Sequence, residues 1–207
     1  MSDNTTNTYL DVKVVDITTP VTFIEFKGPE FPPNYNLVDL HSDVIRIIKE
    51  TGDVQKRTTN VKALMTDWLM TDHLPFKMIS DHVENLVHWF YRENTTLNLK
   101  TFMTTCWGAI YNKGDYSEPH AHSPAFLSWV YYVKAGNESS PLKFYNGYSY
   151  QPKSGYGIIF PGWLIHEVEP EIYDEERIIV VGNIEATGPV NYPQKQIGRF
   201  MDIKKST

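Results

Sequence analysis

Two runs of this sequence carry side chains able to hold a metal ion. The first is Gly114-Asp115-Tyr116-Ser117-Glu118-Pro119-His120-Ala121-His122. In an extended segment alternate side chains project to one face, so His120 and His122 would present two imidazoles to a single point. A lone pair of this kind is weak evidence, because a polar strand face has the same pattern. The second run, Gly155 to His166, reads as a short buried strand, a Pro161-Gly162 turn and an apolar corner that delivers a third imidazole to the start of the next strand. A third ligand from a distant strand is what a facial metal site needs. Glu118, which shares strand parity with the two histidines, and Asp115 are the carboxylates nearby. His122 is preferred as second ligand because its spacing from His120 matches a ligand pair.

Eleven residues beyond His166, Arg177 opens the run Arg-Ile-Ile-Val-Val-Gly-Asn-Ile. Strand alternation places Arg177, Ile179, Val181 and Asn183 on one face. An arginine among aliphatics inside a barrel requires an anion. The competing reading is an ion pair with Glu175 or Glu176 at an exposed strand start.

The elements that would position these residues divide near residue 97. In Leu37 to Glu50, Val38, Leu40, Val44, Ile45, Ile47 and Ile48 recur at helical spacing, and Thr51-Gly52 ends the pattern. A second helix is predicted from Pro75 to about Glu93, with Phe76, Ile79, Val83, Leu86, Val87 and Phe90 on one face. His41, His73, His82 and His88 lie in or beside these helices without ligand-spaced partners and read as surface residues. From Leu97 the runs 97–111, 125–134, 142–145, 157–160, 166–169 and 177–184 are β-rich. Asn112-Lys113-Gly114, Ala135-Gly136-Asn137, Asn146-Gly147, Lys153-Ser154-Gly155 and Pro161-Gly162 separate them. Short strands with no helix between them point to a barrel or sandwich.

Composition narrows the function. The chain has 207 residues, 41% hydrophobic and 21% charged, as expected of one globular unit. It divides into a helical support region over about 1–96, a core over about 97–186 and a tail from 187, with residues 1–8 and the tail loosely held. A formal charge of −6 argues against nucleic acid as a main partner, since phosphate binding needs clustered cations. A single cysteine, Cys106, precludes an internal disulfide. No basic leader precedes an apolar run, and no 18-residue apolar stretch occurs. The expectation is a cytoplasmic chain, or one in the host cytoplasm if phage-encoded, without membrane association.

Taken together, Tyr111, Gly114, Pro119-His120-Ala121-His122, Tyr131-Tyr132, Gly155 through Pro161, His166 and Arg177 stand in an order that resembles a family. That family is the 2-oxoglutarate/Fe(II) oxygenases of the prolyl-hydroxylase-like kind, in particular a group of uncharacterised members met in bacteria and tailed phages. The resemblance covers about residues 100–185. It implies a mainly β fold, a double-stranded β-helix (jelly-roll) barrel backed by N-terminal helices. It implies Fe(II) as the metal and 2-oxoglutarate as co-substrate, with O2 and an unknown substrate as the other partners. His120 and His166 would be iron ligands, and Arg177 would grip the distal carboxylate of 2-oxoglutarate in a bidentate fork. Tyr111 and Tyr132 are candidates for hydrogen bonds to the same co-substrate, and Asn183, on the Arg177 face, is grouped with them. Trp107 and Ala109 alternate onto the Tyr111 side and would line the pocket.

This chain departs from the family at His122, where the commoner member has Asp or Glu. An imidazole there raises the charge of the metal site by one. Three-histidine iron sites occur in cupin dioxygenases that use no 2-oxoglutarate, so such an enzyme is the first alternative. The second is a non-enzymatic jelly-roll module, for binding or in a virion, with structural or zinc-holding histidines. Structural zinc takes four closed ligands, and no fourth is apparent.

Overall fold

The computed structural model describes residues 13–16, 22–29, 36–53, 59–94 and 99–187. Among these residues twelve strands and two helices run in the order β1 (Lys13–Asp16), β2 (Thr22–Lys27), α1 (Leu37–Thr51), β3 (Val61–Lys62), β4 (Leu64–Met65), α2 (Leu74–Asn94), β5 (Lys100–Tyr111), β6 (Tyr116–His120), β7 (Leu127–Lys134), β8 (Leu142–Phe144), β9 (Ser149–Tyr150), β10 (Tyr156–Pro161), β11 (His166–Val168) and β12 (Arg177–Thr187). Seven strands form one sheet in the order β1-β2-β10-β7-β12-β5-β4, and five form a second, β3-β6-β11-β8-β9. Every pairing is antiparallel.

The larger sheet is buried on both faces, which explains the nearly continuous apolar sequence of β7 and β12. Its outer face, with Ile178, Val180, Ile110, Cys106, Trp129 and Tyr131, packs against the apolar stripes of the two helices. Its inner face, with Ile179, Val181, Trp107, Ala109, Tyr111 and Tyr132, meets Phe144, Leu142 and Val168 of the smaller sheet. The site lies in this inner layer. Asn36 caps α1 by accepting from the Val38 and Asp39 amides, and Asp39 accepts from the Asn36 amide to complete the capping box. Leu40, Val44, Ile47 and Ile48 form the buried stripe of α1, whereas Val38, in its first turn, is 72% exposed.

Three expectations need correction. The region before residue 97 supplies strands as well as helices. Thr22-Phe23-Ile24-Glu25-Phe26-Lys27 is too short for a helical period, yet its aromatic and β-branched residues pair with β10 and feed both cores. His41 is not a surface residue: its Nε2 lies 2.8 Å from the Tyr131 hydroxyl beneath α1. His82, half-buried, has its Nε2 2.9 Å from the Lys27 carbonyl, while His73 and His88 are exposed as expected. Residues 1–8 and 188–207 lie outside the described residues. Among the described residues no helix is long and apolar enough to cross a membrane.

Burial holds the His41 imidazole down to about 4, so the folded chain resists a proton that the unfolded chain accepts near 6.5. Stability contributed by neutral His41 is therefore complete above about pH 6.5 and is lost as pH falls toward 4. His41→Leu should flatten that acid limb, although other buried histidines share the same window. At neutral pH it should cost about 1 kcal/mol through the orphaned Tyr131 hydroxyl. Denaturant midpoints of both proteins between pH 7 and 4 measure the difference, and parallel curves would contradict it.

Candidate metal centre

Strand register brings the histidines together. β6 and β11 run antiparallel, and His166 stands directly opposite His120 as a cross-strand pair. His122 follows two residues beyond His120, held by its amide to the Gly162 carbonyl at 2.7 Å. Gly162 is itself required there, because a Cβ would collide with the Ala125 carbonyl. The ring centroids are 4.4 Å apart for His120 and His166, and 5.0 Å for each pair that includes His122. One ligand atom from each histidine falls within 4.8 Å of the other two, and among the described residues no further His, Cys, Asp or Glu joins the group.

The hydrogen bonds select the nitrogen available to a metal. Nδ1 of His120 lies 2.7 Å from the Glu118 carbonyl, and Nδ1 of His166 lies 2.9 Å from the Leu164 carbonyl. A carbonyl only accepts, so both rings carry their proton on Nδ1 and offer an Nε2 lone pair. All three imidazoles are disposed to be neutral. Burial lowers His120; burial and the His120 neighbour lower His166 to about 4; burial with both partners lowers His122 to about 2. Phe160 and Phe144 lie against His166, with centroids at 4.9 and 5.8 Å, and Trp107 lies against His122 at 5.8 Å. Apolar rings thus flank the converging imidazoles.

Neither nearby carboxylate reaches this centre. The exposed Glu118 side chain turns toward Lys62 at 3.7 Å, and Asp115 Oδ2 accepts from the Asn112 amide at 2.7 Å.

Arg177 is 1% exposed, which excludes the reading of an ion pair at an open strand start. Glu176 instead pairs with Lys49, and the partner of Arg177 is Glu171, with Nε to Oε1 at 3.1 Å. Arg177 Nη1 donates to the Ser140 carbonyl at 3.0 Å, and the guanidinium carbon sits 4.0 Å above the Tyr111 ring. Tyr132 is buried in the same layer, stacked on Tyr150 at 5.8 Å, and burial raises both the Tyr111 and Tyr132 phenols.

Asn183 shares the Arg177 face, but six residues of strand separate them by about 20 Å. It stands opposite Thr105 on β5, and Asn183 Oδ1 and Thr105 Oγ1 are both buried without a hydrogen-bond partner. Glu171 and Thr105 were not singled out by sequence reasoning. The Glu171 contact crosses a loop with no periodicity, and Glu175 and Glu176 are nearer to Arg177 in sequence.

Three converging imidazoles at one end of an antiparallel double-sheet barrel define the class of this chain as a jelly-roll with a candidate metal centre. No family model and no curated protein matches it. Solved structures share the fold. The collagen prolyl hydroxylase of Paramecium Bursaria Chlorella virus-1, solved as a 2OG complex, superposes with a TM-score of 0.55 at 18% identity, over 80% of this chain and 96% of that one. A Pseudomonas putida prolyl-4-hydroxylase gives 0.56 at 16% identity, over 80% and 93%. SnoN, a non-heme alpha ketoglutarate dependent epimerase of nogalamycin biosynthesis, gives 0.59 at 8% identity, over 78% and 76%. The fold expected from the sequence, a jelly-roll backed by helices, is therefore the fold observed.

Removing a converging imidazole should abolish metal binding selectively. His166→Ala and His122→Ala should each weaken Mn(II) or Fe(II) affinity on the order of 100-fold or more, beyond the effect of losing an outer-shell partner. Glu118→Gln and Asp115→Asn should leave it unchanged. Anaerobic titration calorimetry on the four variants checks this, and a loss in Glu118→Gln matching that in His122→Ala would reassign the second ligand.

Proposed function

We propose that this chain is a non-haem Fe(II) oxygenase that uses 2-oxoglutarate as co-substrate to hydroxylate an unidentified substrate. The observation that carries the reading is the set of three neutral imidazoles, two with Nδ1 committed to backbone, in a barrel whose floor holds a buried arginine. His120, His122 and His166 would hold the iron, and bound iron with the keto acid supplies the oxidising chemistry. The likeness in fold to proteins solved with 2OG, or described as alpha ketoglutarate dependent, supports the same reading.

Three neutral ligands leave the full charge of a divalent ion uncompensated, where the usual carboxylate would cancel one unit. A keto-acid carboxylate bound beside the ion would supply the missing negative charge. Phe144, Phe160 and Trp107 restrict water around the histidines, which strengthens each electrostatic contact made there. Arg177, with Tyr111 and Tyr132 beside it, would meet the tail carboxylate. Asn183 and Thr105, whose unpartnered oxygens face the same layer, would meet polar groups toward the other end of the barrel. Trp163, Ile165 and Tyr145, exposed beside the His166 corner, offer the substrate an apolar rim. The buried Cys106 thiol, which burial pushes up to about 12, is no redox liability and suits a cytoplasmic setting.

One observation favours a second reading, the three-histidine dioxygenase without a keto acid: Arg177 already has an anion in Glu171. Iron-loaded protein exposed to O2 with and without 2-oxoglutarate separates the two, because only the first yields succinate and carbon dioxide from the keto acid. Succinate formation is the expected result, and O2 consumption independent of 2-oxoglutarate would select the alternative. Arg177→Lys is the informative variant, since Arg177→Met would leave Glu171 buried without its cation at a cost of about 3–5 kcal/mol. The lysine should raise the 2-oxoglutarate concentration needed for succinate formation about tenfold or more and leave Fe(II) affinity unchanged.

A further inference from the structure

Arg177 is not a free anchor, and the way it is engaged bears on what it can bind. One N–H of its Nη1 is donated to the Ser140 carbonyl. Its Nε faces Glu171 Oε1 at 3.1 Å, with the N–H not directed at the oxygen, and Nη2 has no partner although the side chain is 1% exposed. The guanidinium carbon sits over the Tyr111 ring, which limits its movement on that side. Glu171 is as firmly fixed. Its Oε2 accepts from the Ser140 amide at 3.0 Å, its amide donates to the Asp115 carbonyl at 2.9 Å, and its carbonyl accepts from the Gly114 amide at 2.7 Å. The residue is 2% exposed. A ligand tail reaching the barrel floor therefore meets a cation already paired with a carboxylate, in which Nη2 and Nε make no hydrogen bond and Glu171 Oε1 accepts none.

We propose that Glu171 is a specificity-determining residue that sets the affinity of the barrel floor for a dicarboxylate keto acid by partly neutralising Arg177. The inference rests on the co-substrate reading above. With Glu171 in place, a tail carboxylate at Nη2 creates a second buried anion on one cation, and the two repel in a medium that screens poorly. A bidentate grip by both terminal nitrogens would have to use the second N–H of Nη1, because the first is held by the Ser140 carbonyl. Without the Glu171 charge, the tail carboxylate becomes the sole counter-ion of a buried guanidinium, and its binding strengthens. A keto acid of the same length with a methyl tail, 2-oxopentanoate, carries no charge to this floor and is indifferent to the exchange.

Binding to Mn(II)-loaded protein under nitrogen, measured by calorimetry, provides the test without turnover. Glu171→Gln, which keeps an oxygen for the Ser140 amide, should tighten 2-oxoglutarate about tenfold or more and leave 2-oxopentanoate within about threefold. Glu171→Asp, which keeps the charge, should preserve the wild-type ratio of the two affinities. A second readout needs no metal. Glu171→Gln should melt below the wild type, because Arg177 has lost its anion, and 2-oxoglutarate or succinate should restore the loss where 2-oxopentanoate does not. Weaker 2-oxoglutarate binding in both variants would overturn the proposal and make Glu171 only an orienting support for Arg177. Equal changes for the two keto acids would overturn it as well. If neither keto acid bound the wild type or Glu171→Gln while Mn(II) bound normally, the co-substrate reading itself would fall, and this inference with it.

Discussion

The alternation of side chains along strands buried on both faces decides which groups of the larger sheet face the barrel interior. β5, β7 and β12 each send one set of residues outward against the helices and the other inward, so a single strand serves two cores. Ile178 and Val180 hold the helices, while Arg177, Ile179 and Val181 face the smaller sheet. The constraint is severe, since a shift of one residue would move Arg177 into the helix layer and an isoleucine onto the barrel floor. The long pairing of β12 with both β5 and β7 resists such a slip.

Within that frame the two ends of the barrel handle charge in opposite ways. At the end that carries the three histidines, burial disposes the imidazoles to be neutral, so their lone pairs would be available without displacing protons. The backbone carbonyls of Glu118 and Leu164 orient two of the rings, and Phe144 and Phe160 pack against His166. At the floor a full charge is buried, and it persists because Glu171, the Ser140 carbonyl and the Tyr111 ring surround it. An intact buried ion pair adds little net stability, whereas removing one partner alone is costly. The smaller sheet and its loops complete both ends. It contributes His120 and His166 at one end, while Ser140 and Glu171, in the segments flanking β8 and β11, close the other.

Much of this was legible in the residues themselves. The spacing of His120 and His122, the strand–turn–corner that delivers His166 and the parity of Arg177 with Ile179 and Val181 all follow from a two-residue period. A period of that kind is a local property that needs no knowledge of neighbours. The stripes of both helices were readable for the same reason, with Val38 as the exception, because helix periodicity does not specify where in its first turn a helix meets the sheet.

What the tertiary structure decided concerns pairs distant in sequence. Spacing places Glu118 and Asp115 near the histidines, and only the chain path turns Glu118 toward Lys62 and Asp115 back onto Asn112. Proximity in sequence points to Glu175 or Glu176 as the partner of Arg177, yet it is Glu171, placed by backbone bonds from its own segment to Gly114 and Asp115. His41 reads as a surface histidine on an amphipathic helix, and only the packing of α1 over β7 reveals Tyr131 beneath it. Strand β2 was hidden because six residues carry too few repeats to distinguish its period, and only its pairing with β10 makes it a strand. Periodicity encodes which way a side chain points. Which group it meets depends on register between segments, and that is settled only when the two sheets close on each other.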